Sequence, residues 1–171
     1  EFDRVLGGGF VPVSAILIGG HPGAGKSTLL LQVMCGLAKN MTALYVTGEE
    51  SLQQVAMRAN RLNLPTDKLN MLSETSVEQI CNLADQLKPQ IIVVDSIQVM
   101  HLSDIQSSPG SVAQVRECAS FLTRYAKTRQ VAIIMVGHVT TDGTIAGPKV
   151  LELSPLHFSE PTRLRRISYA A

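Results

Sequence analysis

The sequence predicts an α/β domain in which a mainly parallel sheet carries helices on both faces. Three observations indicate this fold class. Short runs of apolar and β-branched residues alternate with stretches of helical periodicity, as in repeated strand–helix units. The strand runs are apolar throughout, as expected of strands that are buried on both faces. The length of 171 residues fits one domain, at roughly 100–200 residues per domain.

Five strands are predicted, and each of the four stronger ones is a continuous apolar run. These runs are residues 15–18, 43–46, 91–94 and 131–136, and a weaker candidate lies at residues 69–72. Helices are expected between the strands, at residues 26–39, 51–62, 76–87 and 112–127. A Thr or Ser at 75–76 followed by Glu or Gln at 78–79 resembles a capping box for the third helix. The Lys88-Pro89 pair is expected to end that helix.

The predicted helix at residues 112–127 has two distinct faces. Its apolar residues recur at spacings of three and four, which puts them on one face. They are Val112, Val115, Ala119, Leu122 and Ala126. The opposite face carries Arg116, Arg124 and Lys127. This basic face could lie along nucleic-acid phosphates, with Lys149 as a further contact, or could be an ordinary solvated helix face.

Two stretches rich in Ser, Thr, Gly or Pro, residues 101–111 and 140–149, are predicted to be irregular. Each follows a strand that would end at the ligand-binding edge of the sheet. The tail from residue 153 onward has two prolines and no strand alternation, and it differs in character from the rest. We therefore expect a domain over residues 1–152 and an atypical tail over residues 153–171.

Composition excludes several classes of protein. Hydrophobic residues make up 45% and charged residues 17% of the chain, which excludes intrinsic disorder. The 15 basic and 14 acidic residues give a net charge of +1, so any nucleic-acid affinity must come from local patches. No apolar run approaches the roughly 18–20 residues of a membrane span, and we expect a cytoplasmic protein without a membrane partner. Because the chain starts without Met, we expect it to be part of a longer protein.

The three cysteines, Cys35, Cys81 and Cys118, lie far apart within apolar helical patterns. This spacing matches neither a disulfide framework nor a zinc site. Buried free thiols are therefore expected.

A phosphate-binding loop is predicted between the first strand and the first helix. The segment fits G-x-x-x-x-G-K-[ST] in full and is followed by Thr. Its residues are Gly20, His21, Pro22, Gly23, Ala24, Gly25, Lys26, Ser27 and Thr28. Glycines allow successive N–H groups to face phosphate oxygens, and the helix adds its positive end. Lys26 supplies a mobile cation and the Ser27 hydroxyl a ligand for Mg²⁺, so ATP and Mg²⁺ are the expected ligands.

Acidic residues follow two other predicted strands. Asp95 stands at the end of the run at 91–94, where it can complete the Mg²⁺ site. Glu49 and Glu50 follow the run at 43–46, and one of them is expected to orient and deprotonate the attacking water. Adjacent residues of an extended segment point in opposite directions, so only one can do so, with Glu49 slightly favoured. Alternatively, both acids only favour the start of the next helix.

His138 follows the strand at 131–136. It could sense the γ-phosphate and pass the signal into residues 140–149, or it could be a half-exposed histidine bonded to nearby backbone. From the strand pattern both interpretations stay open.

Several longer segments resemble the RadA (Sms) family of bacterial DNA-repair proteins, which are RecA-like ATPases. They include YVTGEES at 45–51, VDSIQVM at 94–100, QSSPGSVAQVRE at 106–117 and GPKVLE at 147–152. The resemblance implies a RecA-like P-loop core that forms a hexameric ring. It also implies ATP-driven branch migration and strand exchange on single-stranded DNA, with the recombinase RecA and replication or repair proteins as partners. His138 takes the place of the γ-phosphate sensor, and residues 101–111 and 140–149 correspond to the two DNA-binding loops.

The resemblance also implies parts that this sequence lacks. The family carries an N-terminal four-cysteine zinc finger, which would be the only zinc site, and a C-terminal Lon-protease-like domain. Its K-N-R-F-G motif should follow the core and has no match here, so residues 1–152 would be a C-terminally incomplete core. In a ring, a basic residue of the neighbouring subunit would act on the γ-phosphate, and Lys149 is one candidate.

Two other functions remain open. A nucleotide-gated ring scaffold like the clock protein KaiC, without DNA activity, suits the Glu49-Glu50 pair equally well. A small-molecule kinase is less favoured, because no Arg-rich lid or acceptor pocket is visible in the sequence.

Overall fold

The structure, a computed structural model, describes residues 15–138. Within that range five strands and four α-helices alternate, with one short 3₁₀-helix after the fourth strand. The elements are β1 (Ala15–Gly20), α1 (Lys26–Leu37), β2 (Ala43–Thr47), α2 (Leu52–Arg61), β3 (Asn70–Ser73), α3 (Val77–Leu87), β4 (Ile91–Asp95), the 3₁₀-helix Ile97–Val99, α4 (Val112–Arg129) and β5 (Ala132–His138).

All five strands belong to one parallel sheet in the order β1-β5-β4-β2-β3. Parallel neighbours need crossover connections, and the four helices provide them. The sheet confirms the predicted α/β architecture, including the weaker third strand. Because every strand runs the same way, the carboxyl ends of all five lie along one edge, which we call the carboxyl edge.

Helices cover both faces of the sheet, as predicted. Side chains of α1 and α2 pack with Tyr45, Val93 and Ile134 in one core. Side chains of α3 and α4 pack with Val46, Val94 and Ile133 in the other. Alternation along each strand sends successive side chains to opposite cores, which explains why the strand runs are apolar throughout.

All five strands extend further at the carboxyl edge than the predicted runs, β2, β3 and β4 by one residue and β1 and β5 by two. β1 continues to Gly20, β4 to Asp95 and β5 to His138. The polar and glycine residues stay in the ladder, since Gly20 pairs with His138 and Asp95 pairs with Val136. The apolar pattern ends before the strand does because Gly20, Asp95 and His138 lie at the carboxyl edge and belong to neither core.

Helix ends follow local sequence chemistry. Ser51 caps α2 in a full capping box with Gln54, whereas Ser76 caps α3 through the Gln79 N–H. Lys88 adopts a left-handed conformation and ends α3 before Pro89, as predicted. Both α1 and α4 begin at the predicted residue. At its C-terminal end α1 is two residues shorter than predicted, and α4 is two residues longer.

The predicted apolar face of α4 needs one correction. Val115, Ala119, Leu122 and Ala126 are buried, but Val112 is 44% exposed. Val112 is the first residue of the helix, and its side chain lies outside the packed part of that face. A buried polar residue, Gln114, occupies this end of the helix instead.

Residues 101–111 contain no helix and no named strand, as predicted, although His101 forms an isolated parallel bridge with Ser76. Their course is nevertheless held by polar contacts. Gln114 accepts a hydrogen bond from the Leu102 N–H at 3.0 Å and donates to the Ile105 and Ser107 carbonyls at 3.3 and 2.8 Å. Glu78 accepts bonds from the Ser103 N–H and hydroxyl, both at 2.7 Å.

Several predictions concern residues beyond this part of the chain. The loop at 140–149, with Lys149, and the boundary at residue 152 lie outside the described residues. Between residues 15 and 138, no helix is both long and apolar enough to cross a membrane. Cys35, Cys81 and Cys118 are buried free thiols, as expected, and no cluster of three or more metal-ligating side chains occurs in the described range.

Candidate nucleotide-binding site

The predicted phosphate loop leaves β1 at the carboxyl edge and leads directly into α1. Gly25 precedes the first helical residue with φ of 79° and has no side chain to cap the helix. The first N–H groups of any α-helix have no partner inside the helix, so this uncapped end is a natural anion site. Residues 21–25 are exposed, and a ligand can reach that end from solvent.

Lys26, at the start of α1, folds back over the loop. Its Nζ donates to the carbonyls of Gly20 and His21, both at 2.7 Å. Burial lowers the pKa of Lys26, and the nearby carboxylates of Asp95 and Glu49 oppose that shift. The ammonium group therefore lies within electrostatic reach of both acids at this edge.

Asp95 is the last residue of β4 and is only 6% exposed. Alternation along β4 places it on the same face as Val93, which is the face that α1 covers. Its Oδ2 accepts a hydrogen bond of 2.7 Å from the hydroxyl of Tyr45. No described residue donates to its other oxygen, Oδ1.

Glu49 lies just beyond β2 and is held by residues at the ends of two other strands, β4 and β5. Its Oε1 accepts a short hydrogen bond from the Ser96 hydroxyl. The same oxygen lies 3.0 Å from Nε2 of His138, the last residue of β5. The other ring nitrogen, Nδ1, is buried without a partner in the described chain.

Glu50 points elsewhere. Both of its carboxylate oxygens accept from Nη1 of Arg58 on α2, at 2.6 and 2.8 Å. The Arg58 side chain is 14% exposed and that of Glu50 33%. Burial alone would lower the pKa of Arg58, but the hydrogen bond and charge of Glu50, together with the influence of Tyr45 and Asp95, outweigh it and raise that pKa. The two adjacent glutamates thus make separate sets of contacts.

Gly48 allows the chain to bring Glu49 to this position. A Cβ at Gly48 would lie 2.5 Å from Cγ2 of Val99 and 2.8 Å from Cε of Met100. The Gly48 N–H also donates to the Asp95 carbonyl at 2.8 Å. The segment after β2 therefore lies against the 3₁₀-helix so closely that only glycine fits.

The remaining predicted residues divide by location. Ser27 and Thr28 lie half-buried in the first turn of α1. Arg116, Arg124 and Lys127 are all exposed on α4. Arg124 donates to the Ser120 hydroxyl at 3.0 Å and lies over the Phe121 ring at 6.0 Å.

Sequence analysis missed three polar contacts of the site. Tyr45 lies in an apolar strand and was treated as a core residue. A buried tyrosine hydroxyl usually has a hydrogen-bond partner, and this rule could have indicated a polar contact there. Ser96 follows Asp95 directly, but nothing local indicates a contact with Glu49. The pairing of Arg58 with Glu50 crosses eight residues and carries no sequence signature.

The residues at this edge fit ATP and Mg²⁺. The uncapped start of α1 and Lys26 suit phosphate groups. Ser27 and the buried Asp95, whose Oδ1 has no donor in the described chain, are hard oxygen ligands of the type that Mg²⁺ prefers. Mg²⁺ usually takes one or two protein ligands together with phosphate and water, so a larger cluster of acids is not needed.

Comparison with known proteins decides the family. A profile for the AAA domain matches residues 3–144. The chain belongs to the AAA domain family. Together with the parallel sheet, this match confirms the predicted RecA-like P-loop core.

Curated relatives of this AAA domain are DNA repair proteins. The protein named DNA repair protein RadA from Haemophilus influenzae is 93% identical over 152 residues, which are 89% of this chain and 33% of the relative. The protein of the same name from Escherichia coli is 76% identical over 152 residues, which are again 89% of this chain and 33% of the relative. That from Bacillus subtilis is 53% identical over 153 residues, again 89% and 33%. The resemblance to the RadA family is confirmed, and the chain spans about a third of the length of these relatives.

Proposed function

We propose that this AAA domain hydrolyses ATP with Mg²⁺ and that single-stranded DNA stimulates the hydrolysis. The observation that supports it best is the meeting of four strand ends at one edge. The phosphate loop follows β1, Asp95 ends β4, and Glu49 follows β2 and contacts His138 of β5. Lys26 lies within electrostatic reach of both acids.

The phosphates would bind at the N-terminus of α1, over residues 20–28. Lys26 would leave the Gly20 and His21 carbonyls and turn its ammonium group toward the β- and γ-phosphates. Ser27 and Asp95 would hold Mg²⁺, which neutralises charge on the phosphate oxygens when it is bound.

Glu49 is our candidate for the base. Ser96 and His138 occupy its Oε1, which leaves Oε2, with no donor in the described chain, to accept a proton from water. The two contacts also fix the orientation of the carboxylate, as a general base requires. Glu50 is engaged with Arg58 on α2 and is better explained as a structural acid.

His138 would report the state of the nucleotide. It contacts the candidate base through Nε2, and its own carbonyl accepts a hydrogen bond of 3.3 Å from Gln98 Nε2. Only Val139 separates it from the loop at 140–149. A movement of Glu49 on nucleotide binding can thus be passed to the end of β5.

For DNA we propose the exposed basic face of α4 and the loops at 101–111 and 140–149, with Lys149 as a contact. The names of the relatives support a role in DNA repair. Arg116 lies one turn from the loop at 101–111, whereas Lys127 lies about 16 Å further along the helix at roughly 1.5 Å per residue. In the whole protein we expect a homo-oligomeric ring in the cytoplasm that drives branch migration and strand exchange with RecA.

The test is ATP turnover by the 171-residue chain with and without a single-stranded oligonucleotide. Lys26→Ala serves as the blank. Stimulation that weakens as salt increases would support the proposal, because phosphate contacts release counterions. Arg116→Ala should reduce the stimulation more than the distal Lys127→Ala. Turnover or nucleotide-dependent assembly that DNA leaves unchanged would favour the KaiC-like scaffold instead.

A further inference from the structure

Tyr45 holds the only hydroxyl that contacts Asp95 in the described chain. The residue belongs to β2 and is fully buried, and its side chain packs in the core that α1 and α2 form with the sheet. Its Oη donates to Asp95 Oδ2 at 2.7 Å. A phenylalanine would fill the same space without needing a polar partner, so packing alone does not explain the hydroxyl.

A neutral donor suits a metal-binding carboxylate better than a cation would. A buried carboxylate needs a hydrogen-bond partner, and an arginine or lysine would also cancel the charge that attracts Mg²⁺. The tyrosine hydroxyl satisfies Oδ2 and leaves the charge of Asp95 intact. It also restricts rotation of the carboxylate, while Oδ1 has no donor in the described chain.

The neighbouring cation, Arg58, makes no hydrogen bond to Asp95, and in the described chain its Nε and Nη2 are buried without a partner. Arg58 lies near enough to Tyr45 and Asp95 to interact with both electrostatically, but both oxygens of Glu50 engage its Nη1. This ion pair leaves Tyr45 as the partner of Asp95. It also gives Glu50 a role that differs from that of Glu49.

We infer that Tyr45 is a positioning residue for Mg²⁺, orienting Asp95 through Oδ2 so that its other oxygen is available to the ion. The inference rests on the proposed function, because it concerns the same ligand. Hydrogen-bond partners of metal ligands typically contribute 10–100-fold to metal affinity. Tyr45 should therefore act on the Mg²⁺-dependent part of nucleotide binding and leave the Mg²⁺-free part unchanged.

The experiment is a Mg²⁺ titration of the 171-residue chain with a fluorescent, non-hydrolysable ATP analogue, followed by anisotropy. Tyr45→Phe is compared with wild type and with Tyr125→Phe. Tyr125 is a matched control, since its hydroxyl also donates to an aspartate, Asp85, at 2.7 Å, and that pair lies between α3 and α4. Affinity in EDTA is measured for each protein, and thermal unfolding checks the fold.

For Tyr45→Phe we expect the Mg²⁺ concentration at half-saturation to rise about 10-fold or more, with affinity in EDTA unchanged. Tyr125→Phe should match wild type in both. The Mg²⁺ concentration at half-saturation does not depend on the amount of folded protein, so a partial loss of stability leaves the comparison valid. An unshifted midpoint, or an equal loss of affinity in EDTA, overturns the inference. Wild type without Mg²⁺-dependent binding would overturn the proposed function as well.

Discussion

Oε1 of Glu49 and Nε2 of His138 lie 3.0 Å apart, although 89 residues separate them in the chain. The contact spans the sheet from the end of β2 to the end of β5. Ser96, which follows the intervening strand β4, donates to the same oxygen. A carboxylate beside the phosphate loop is thereby held by groups from two other strand ends, which is the arrangement that a positioned base requires.

Glu49→Gln should abolish most hydrolysis while nucleotide still binds. The amide keeps the shape of the side chain but cannot take a proton, and loss of a general base typically costs about 100- to 10,000-fold in rate. Single-turnover hydrolysis and binding of a fluorescent ATP analogue separate the two effects. A variant that turns over within a few-fold of wild type would remove Glu49 from the role of base.

Glu50→Gln is the matched variant and should behave in the opposite way. Turnover should stay within a few-fold of wild type, because Glu50 contacts Arg58 rather than the phosphate site. Stability should fall by about 1–2 kcal/mol, since a mostly buried guanidinium loses its counter-charge. Urea unfolding measures this change. A large loss of turnover with unchanged stability would exchange the roles of the two glutamates.

Lys26→Ala should lower turnover by about 100-fold or more, because the loop loses its cation for the phosphates. The fold should persist, as the hydrogen bonds of the Lys26 ammonium within the described chain go only to the Gly20 and His21 carbonyls. Lys39→Ala provides the control, since Lys39 is exposed just beyond the other end of α1. Equal turnover in the two variants would contradict the assignment of the phosphate loop.

Acid should weaken the anchor of residues 102–111. Burial opposes ionisation of Glu78, but hydrogen bonds from the Ser103 hydroxyl and N–H outweigh it and lower the pKa of Glu78 to about 2. Since this pKa is lower in the folded chain than the usual value of 4.5, ionised Glu78 stabilises the fold above about pH 4.5. That contribution is lost as the pH falls toward 2.

Glu78→Gln tests this pH dependence. The free energy of unfolding should be lower than that of wild type near pH 6, and the difference should shrink steadily between pH 4.5 and pH 2. Urea unfolding followed by circular dichroism gives both curves. A difference that is constant over this range would mean that the charge of Glu78 does not stabilise the folded state.

The three cysteines should react slowly with alkylating reagents in the folded protein. Burial raises the pKa of Cys81 and of Cys118 to about 12, and it also raises the pKa of Cys35. Because the thiolate is the nucleophile, little reaction is expected at pH 8, and all three should react after unfolding in guanidinium. Rapid modification of a native thiol would show that its part of the core opens readily.

Most of the fold could be predicted from the sequence because its signals are local. Apolar runs identify β2 and β4, the Lys88-Pro89 pair ends α3, and the spacing of Gly20, Gly25 and Lys26 identifies the phosphate loop. The residues at which the strands end were harder to predict. Gly20, Asp95 and His138 belong to strands through backbone pairing with neighbours, which hydrophobicity does not record.

The sequence by itself determined the class of fold, the phosphate loop and the acids that follow the strands. Only the tertiary structure decided which contacts those acids make. Glu49 meets Ser96 across 47 residues and Tyr45 meets Asp95 across 50. These pairs depend on strand order and register, which bring distant segments to one edge of the sheet. Periodicity reports the face of a strand but not its neighbour, so Glu49 and Glu50 could be told apart only once β2, β4 and β5 were in place.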